Sequence, residues 1–217
     1  MPDLYNLDDI CNVVIRGKSQ FRYFFSQGEN ATGIMGALRL GEAGIKWEFG
    51  ELLGINASCA DSDYIAEEEY VIHGDSTGKV YRQESGTSFN GENIVSIYQT
   101  PWLDMGDTPI RKNPHKVWTF IRSEGDNDIK LSLSYNWSDT EVLNPANYTL
   151  TYSGIAALYN TAEYDASAEY DGIGSPVLRT SVEGSGYSVS LQYVTFDTNP
   201  SHHIQGYLIE YQVGDRR

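Results

Sequence analysis

Positive charge is scarce in this 217-residue sequence. Fifteen Lys and Arg stand against 30 Asp and Glu, for a formal net charge of −15. Binding a phosphate backbone by bulk charge needs cations that displace counterions, so composition excludes that function class. No run of about 18 apolar residues exists, so no helical membrane span is expected. Cysteine is limited to Cys11 and Cys59. Two cysteines make no disulfide framework, and neither Cys-x-x-Cys nor His-x-x-x-His spacing offers a zinc site. The opening MPDLYNLDDICNVV has no basic region followed by an apolar one. That predicts no signal peptide, folding in a reducing cytosol, and two buried, inert thiols.

Catalytic motifs are also missing. Gly184-Ser185-Gly186 is too short for a nucleophile elbow, and its Ser falls at a hairpin tip. No Gly-x4-Gly-Lys phosphate loop occurs. His73, His115, His202 and His203 have no ligand partner at helical spacing, and adjacent histidines on a strand point to opposite faces. Asp126-Asn127-Asp128 and Asp165, Glu169, Asp171 group oxygens loosely but miss the EF-hand spacing, and read as solvated turns. With 30 acids, chance carboxylate pairs carry no signal for glycoside hydrolysis. The sequence therefore predicts a protein that is not an enzyme and has neither cofactor nor metal.

What is abundant is Gly (21 residues) and Tyr (16 residues) on a period of two. Residues 67–83 read as strand, Gly-Asp-Ser-Thr-Gly turn, strand. Gln20–Phe25, a Gln27-Gly28-Glu29-Asn30 turn and Gly33–Leu40 repeat that plan about 48 residues earlier, near the propeller-blade period of ~40–50. From about residue 91, short strands follow one another: 93–100, 116–122, 130–135, 148–152, 177–181, 187–193 and 205–213. Polar and apolar residues alternate in Lys130–Tyr135 and Ser188–Tyr193, the pattern of one packed and one wet face. Seven short strands separated by turn clusters point to a β-sandwich. Residues 7–11 and 154–162 are the only weak helix candidates. The expected fold is all-β: an incomplete propeller-like meander over 1–90, a boundary near Gly86–Asn93, then a jelly-roll or Ig-like sandwich over 91–217. Trp118 and Trp137 read as core or interface residues.

Residues 98–122 read YQTPWLDMGDTPIRKNPHKVWTFIR. A strand ends at Thr100-Pro101, a tight connector covers Asp104–Pro109, and a new strand starts at Lys116. Pro109 and Pro114 bar ladder bonds, and Arg111 and Lys112 bring positive charge to an acidic chain. This stretch resembles one in the tail nozzle or hub (tail tubular) proteins of short-tailed bacteriophages. There Thr-Pro-aromatic-x-Asp-x-Gly precedes Pro-x-x-Arg-Lys and an aromatic-rich strand. Four further segments are similar, in the same order: Ser19–Gly28, His73–Tyr81 with Thr87–Gly91, Gly184–Val189, and His203–Tyr211.

The resemblance implies a virion structural protein, folded in the host cytoplasm and assembled in the tail as a homo-oligomer, with a hexameric ring favoured. It would sit below the portal and adaptor, beside a companion nozzle chain and a needle or fibre. DNA would pass without sequence-specific binding, and the chain would not enter a membrane. In the family most of the propeller precedes the Ser-Gln-Phe-Arg stretch. That region is mostly missing here, so another polypeptide or ring neighbours would supply it. An acidic lumen would suit DNA passage, because like charge prevents adhesion. The interface candidates are Pro101, Trp102, Asp104, Gly106, Pro109, Arg111 and Lys112. Pro101, Gly106 and Pro109 would shape the connector, and Arg111 and Lys112 would form an intersubunit or interdomain ion pair. The alternative is a tail-tip receptor- or carbohydrate-binding module using exposed aromatics.

Overall fold

A computed structural model describes residues 10–25, 32–41, 44–106, 109–123, 125–142, 144–152 and 176–214. The chain is all-β, with every strand pair antiparallel and no α-helix among the described residues. No helix there is long and apolar enough to cross a membrane. The chain divides into two compact units, residues 1–86 and 87–217.

The first unit is two meanders. Strands β1 (Ile10–Ile15), β2 (Gln20–Phe25), β3 (Thr32–Gly41) and β4 (Gly44–Leu53) pair in chain order. Strands β5 (Cys59–Ile65), β6 (Glu68–Gly74) and β7 (Val80–Arg82) form a second sheet. Alternation on β1 and β2 sends Val13, Ile15 and Phe24 to one face, where they bury against Ala57 and Val71. A polar fringe closes the same layer. Arg22 is buried, donates to the Gln83 amide oxygen at 2.7 Å, and pairs with Glu84, which also binds Lys18. His73 stacks between Phe24 and Tyr81. Residues 10 and 11, the last two of the five in the first expected helix, lie in β1 because Ile10–Ile15 presents apolar groups at alternate positions; residues 7–9 lie outside the described residues. The second, 154–162, lies outside the described residues.

The described residues of the second unit form seven strands in two sheets. Strands β8 (Ile94–Gln99), β10 (Asn127–Tyr135), β11 (Tyr148–Tyr152) and β13 (Val189–Asp197) form one, in the order β11-β10-β13-β8. Strands β9 (Lys112–Ser123), β12 (Val177–Ser181) and β14 (His202–Val213) form the other, in the order β12-β9-β14. Ile129, Leu131, Leu133 and Tyr135 of β10 and Val189, Leu191 and Tyr193 of β13 fill the core with Val117 and Ile121 of β9. Neighbours β9 and β10 lie in different sheets, each beside a later strand (β12 and β13), as the second, third, fifth and sixth strands do in an Ig sandwich. The first, fourth and last strands have changed sheets relative to that fold: β8 joins β13, β11 joins β10, and β14 joins β9.

Two local expectations are corrected. Pro114 lies inside β9, opposite Tyr211 where the β14 register shifts, and beyond the end of β12. A proline at a bulge leaves no ladder partner wanting. The thiols are not both buried: Cys59 is exposed, and Cys11 is half-buried, donating to the Ala57 carbonyl at 3.2 Å.

Candidate functional site

The candidate residues 101–112 join β8 to β9. Beyond Gln99, the Thr100 amide donates to the Leu191 carbonyl at 2.9 Å, and the Leu191 amide donates to the Thr100 hydroxyl at 3.0 Å. Pairing resumes at Leu103, which exchanges backbone bonds with Val189 at 2.8 and 3.0 Å. Pro101 and Trp102 thus oppose the single residue Ser190, a bulge that accommodates a proline lacking an N–H. The Ser190 hydroxyl secures it by donating to the Thr100 carbonyl at 2.9 Å.

The bulge turns Trp102 toward Trp137; their rings lie 6.4 Å apart at 42°. Asp104 then accepts the Gly106 amide at 3.1 Å, closing an Asx turn through Met105. The Tyr211 hydroxyl donates to the Met105 carbonyl at 3.2 Å. Between bulge and β14 lies an open hollow of about 510 Å³ lined by Trp102, Leu103, Met105, Tyr207, Ile209 and Tyr211. Its walls are aromatic and aliphatic, with Asp104 at the margin.

Arg111 and Lys112 point in opposite senses. Arg111 is exposed and reaches the Ser185 carbonyl at 3.4 Å. Lys112 is 1% exposed, and its backbone exchanges bonds with Gly186 at 2.8 and 3.0 Å. Strand alternation sends Lys112 inside while Arg111 stays at the surface. Pro109 is exposed.

Trp137, expected in the core or at an interface, is 58% exposed and so is not a core residue. It stands in a turn where Asn136, Trp137 and Ser138 all have left-handed backbone (φ 51, 56 and 61). That conformation costs L-residues about 1–2 kcal/mol each. The Asn136 side-chain oxygen offsets part of this by accepting the Tyr187 amide at 2.8 Å, and the Asn136 amide donates to the Ser188 carbonyl at 3.1 Å. The aromatic pairing of Trp102 with Trp137 is not visible in the sequence, where they stand 35 positions apart. The alternation Tyr207, Ile209, Tyr211 on one strand face is the signal that could have located the hollow.

Two tyrosines near the hollow have shifted acidity. Burial pushes Tyr193 up to about 12 despite its bond with the Thr119 hydroxyl, and raises Tyr207 as well. Among the described residues, no three His, Cys, Asp or Glu side chains converge to hold a metal. Asn127 of the acidic turn is buried, donating to the Pro200 carbonyl at 3.0 Å. Asp128 accepts the Thr151 hydroxyl at 2.7 Å, so the described acidic turn ties strands together; Asp165, Glu169 and Asp171 lie outside the described residues. The site can stack against flat apolar surfaces. No family model matches this chain, and no curated protein matches it.

Proposed function

We propose that the chain is a structural subunit of a bacteriophage tail nozzle or hub, assembled as a hexameric ring that forms part of the conduit for DNA. The observation that carries this reading is how residues 98–122, the centre of the resemblance, are used. Thr100 and Leu103 bind β13, Lys112 and Pro114 are buried, and Val117 and Thr119 lie in the sandwich core. A segment spent on framework suits an architectural protein. Two meanders followed by a sandwich also match the organisation that the resemblance implies. The acidic surface would let DNA slide past. The test is negative-stain imaging and mass measurement of tails from phage carrying a tagged chain. A tag on a ring of six 24.3 kDa copies between adaptor and tail tip supports the reading; a tag absent from virions overturns it.

The Trp102–Trp137 pair favours a second reading, a tail-tip module that stacks on pyranose rings. A glycan-array signal abolished by Trp137→Ala would support it; a blank array would remove it.

A further inference from the structure

The outer face of the β1–β4 sheet is more apolar than the face the molecule covers. Register places Val14, Tyr23, Ile34, Leu38, Trp47 and Phe49 on that outer side with Leu40, Ile45 and Leu53. Of its sixteen strand positions, only Glu51 is charged. On the inner side Arg22 is buried, while Arg39, Lys46 and Glu48 are exposed at the β3–β4 turn end. A solvated sheet face normally carries polar residues, and the outer face here does not.

The outer face is also organised. The Phe21 ring lies over Gly36, where a Cβ would come within 2.4 Å of it. Phe21 contacts Trp47 and Phe49 at ring separations of 5.3 and 6.3 Å. Leu40 is 82% exposed, Ile45 70%, Phe49 68% and Trp47 51%. With about 200 Å² on a large apolar side chain, the nine exposed residues leave on the order of 1,000 Å² uncovered. A monomer's largest apolar patch is about 300–600 Å², and a stable interface needs about 800 Å² per partner.

We propose that this face is covered by the same face of a second copy of the chain. The area meets what a stable dimer needs, and polarity selects the partner. The outer face of the β5–β7 sheet carries Asp61, Asp63, Glu68 and Arg82, so docking there would desolvate charges. The β1–β4 face matches itself: two such sheets stack about 10 Å apart with strands within about 30°. An isologous contact closes on itself, so it makes a pair of copies and is not the lateral contact of a ring. Each copy carries −15, so salt should tighten the contact by screening repulsion between the acidic surfaces.

The inference stands on the exposed face and not on the tail reading: a chain that pairs in this way but is absent from virions sinks only the latter. The test is sedimentation of the full chain beside the double variant Leu40→Glu/Phe49→Glu. Both residues are exposed in the single chain, so circular dichroism should not change, and Tm measured well below the association Kd should hold. The wild type should self-associate with a Kd of about 1 μM or tighter, more tightly at 0.5 M than at 0.1 M salt. The double variant should weaken association at least about 100-fold. A wild type that stays monomeric to about 100 μM overturns the proposal. So does a folded double variant that associates as well as the wild type.

Discussion

The two units use β-alternation to opposite ends. In the sandwich, β10 sends Ile129, Leu131, Leu133 and Tyr135 inward and Asp128, Lys130, Ser132 and Ser134 outward, so one sheet face is dry and one is wet. In the β1–β4 sheet the inner face buries Val13, Ile15 and Phe24, and the outer face leaves Leu40, Ile45, Trp47 and Phe49 exposed. The sandwich closes a core between its two sheets by itself, although Ile97, Phe196, Leu208 and Val213 stay exposed on its surface. The meander unit packs one face of its four-stranded sheet and leaves the other, which the proposed pairing of two copies would cover.

The sharpest way to break this comparison is to delete apolar groups from each unit. Leu133→Ala removes side-chain atoms from a site 1% exposed and should cost the sandwich about 2–5 kcal/mol. Phe49→Ala should cost the isolated chain less than about 1 kcal/mol. Urea titration, with amide exchange to assign the loss to a unit, checks both. Equal losses would mean that the outer face stabilises the single chain and is no spare surface.

Lys112→Glu should rank next, because reversing a buried charge strands the groups that now face it, at about 3 kcal/mol or more. Gly184→Ala should cost about 1–3 kcal/mol. Gly184 has φ 117, and a Cβ there would meet the Tyr135 ring at 2.4 Å. Arg111→Glu is the small member of the series, at about 0.5 kcal/mol or less by thermal melting. If Arg111 serves a contact between copies, ring yield falls while Tm holds. A fall in Tm would place Arg111 with Lys112 in the framework.

Acid and alkali should also separate the units. Glu69 is held below the usual carboxylate range by the amides of Gly17 and Arg16, and Asp75 by the Thr77 hydroxyl and the Lys79 amide. In Glu84, burial raises the value but is outweighed by Lys18 and Arg22. Depressed carboxylates stabilise fully above their unfolded values of about 4 and lose that contribution as pH falls through the lower folded ones. All three are in the first unit. In the second, burial raises Tyr135 and takes Tyr193 to about 12. Their contribution is complete below the unfolded value of about 10 and is lost as pH rises toward 12. Each unit also has one histidine lowered by burial, His73 and His202, so mild acid should not tell them apart. Unit-resolved exchange should show the meanders opening first below pH 4 and the sandwich first above pH 10; the opposite order would contradict the assignment.

The sandwich was legible because its alternation is strict. Residues 148–152 and 177–181 are strands with the expected bounds. Strand β9 starts four residues before the expected Lys116, since Pro114 reads as a breaker unless the bulge opposite it is known. The period of two in Ile45, Trp47, Phe49 and Leu53 was present but unread, because Gly44–Leu53 lies outside the repeated hairpin plan. At the site, a lysine looks like a surface group in any sequence. Only the pairing of Lys112 with Gly186, 74 positions away, shows that it is interior. The exposure of Trp137 depends on three consecutive left-handed residues that no local propensity would suggest.

Hydroxyl-radical footprinting of the full chain at low and high concentration tests the central contrast most directly. Protection should appear on Leu40, Ile45, Trp47 and Phe49 as concentration rises, while Trp137 and the sandwich surface stay unchanged. Protection confined to the sandwich, or none up to about 100 μM, would contradict the claim that the open face of the β1–β4 sheet is an interface between copies.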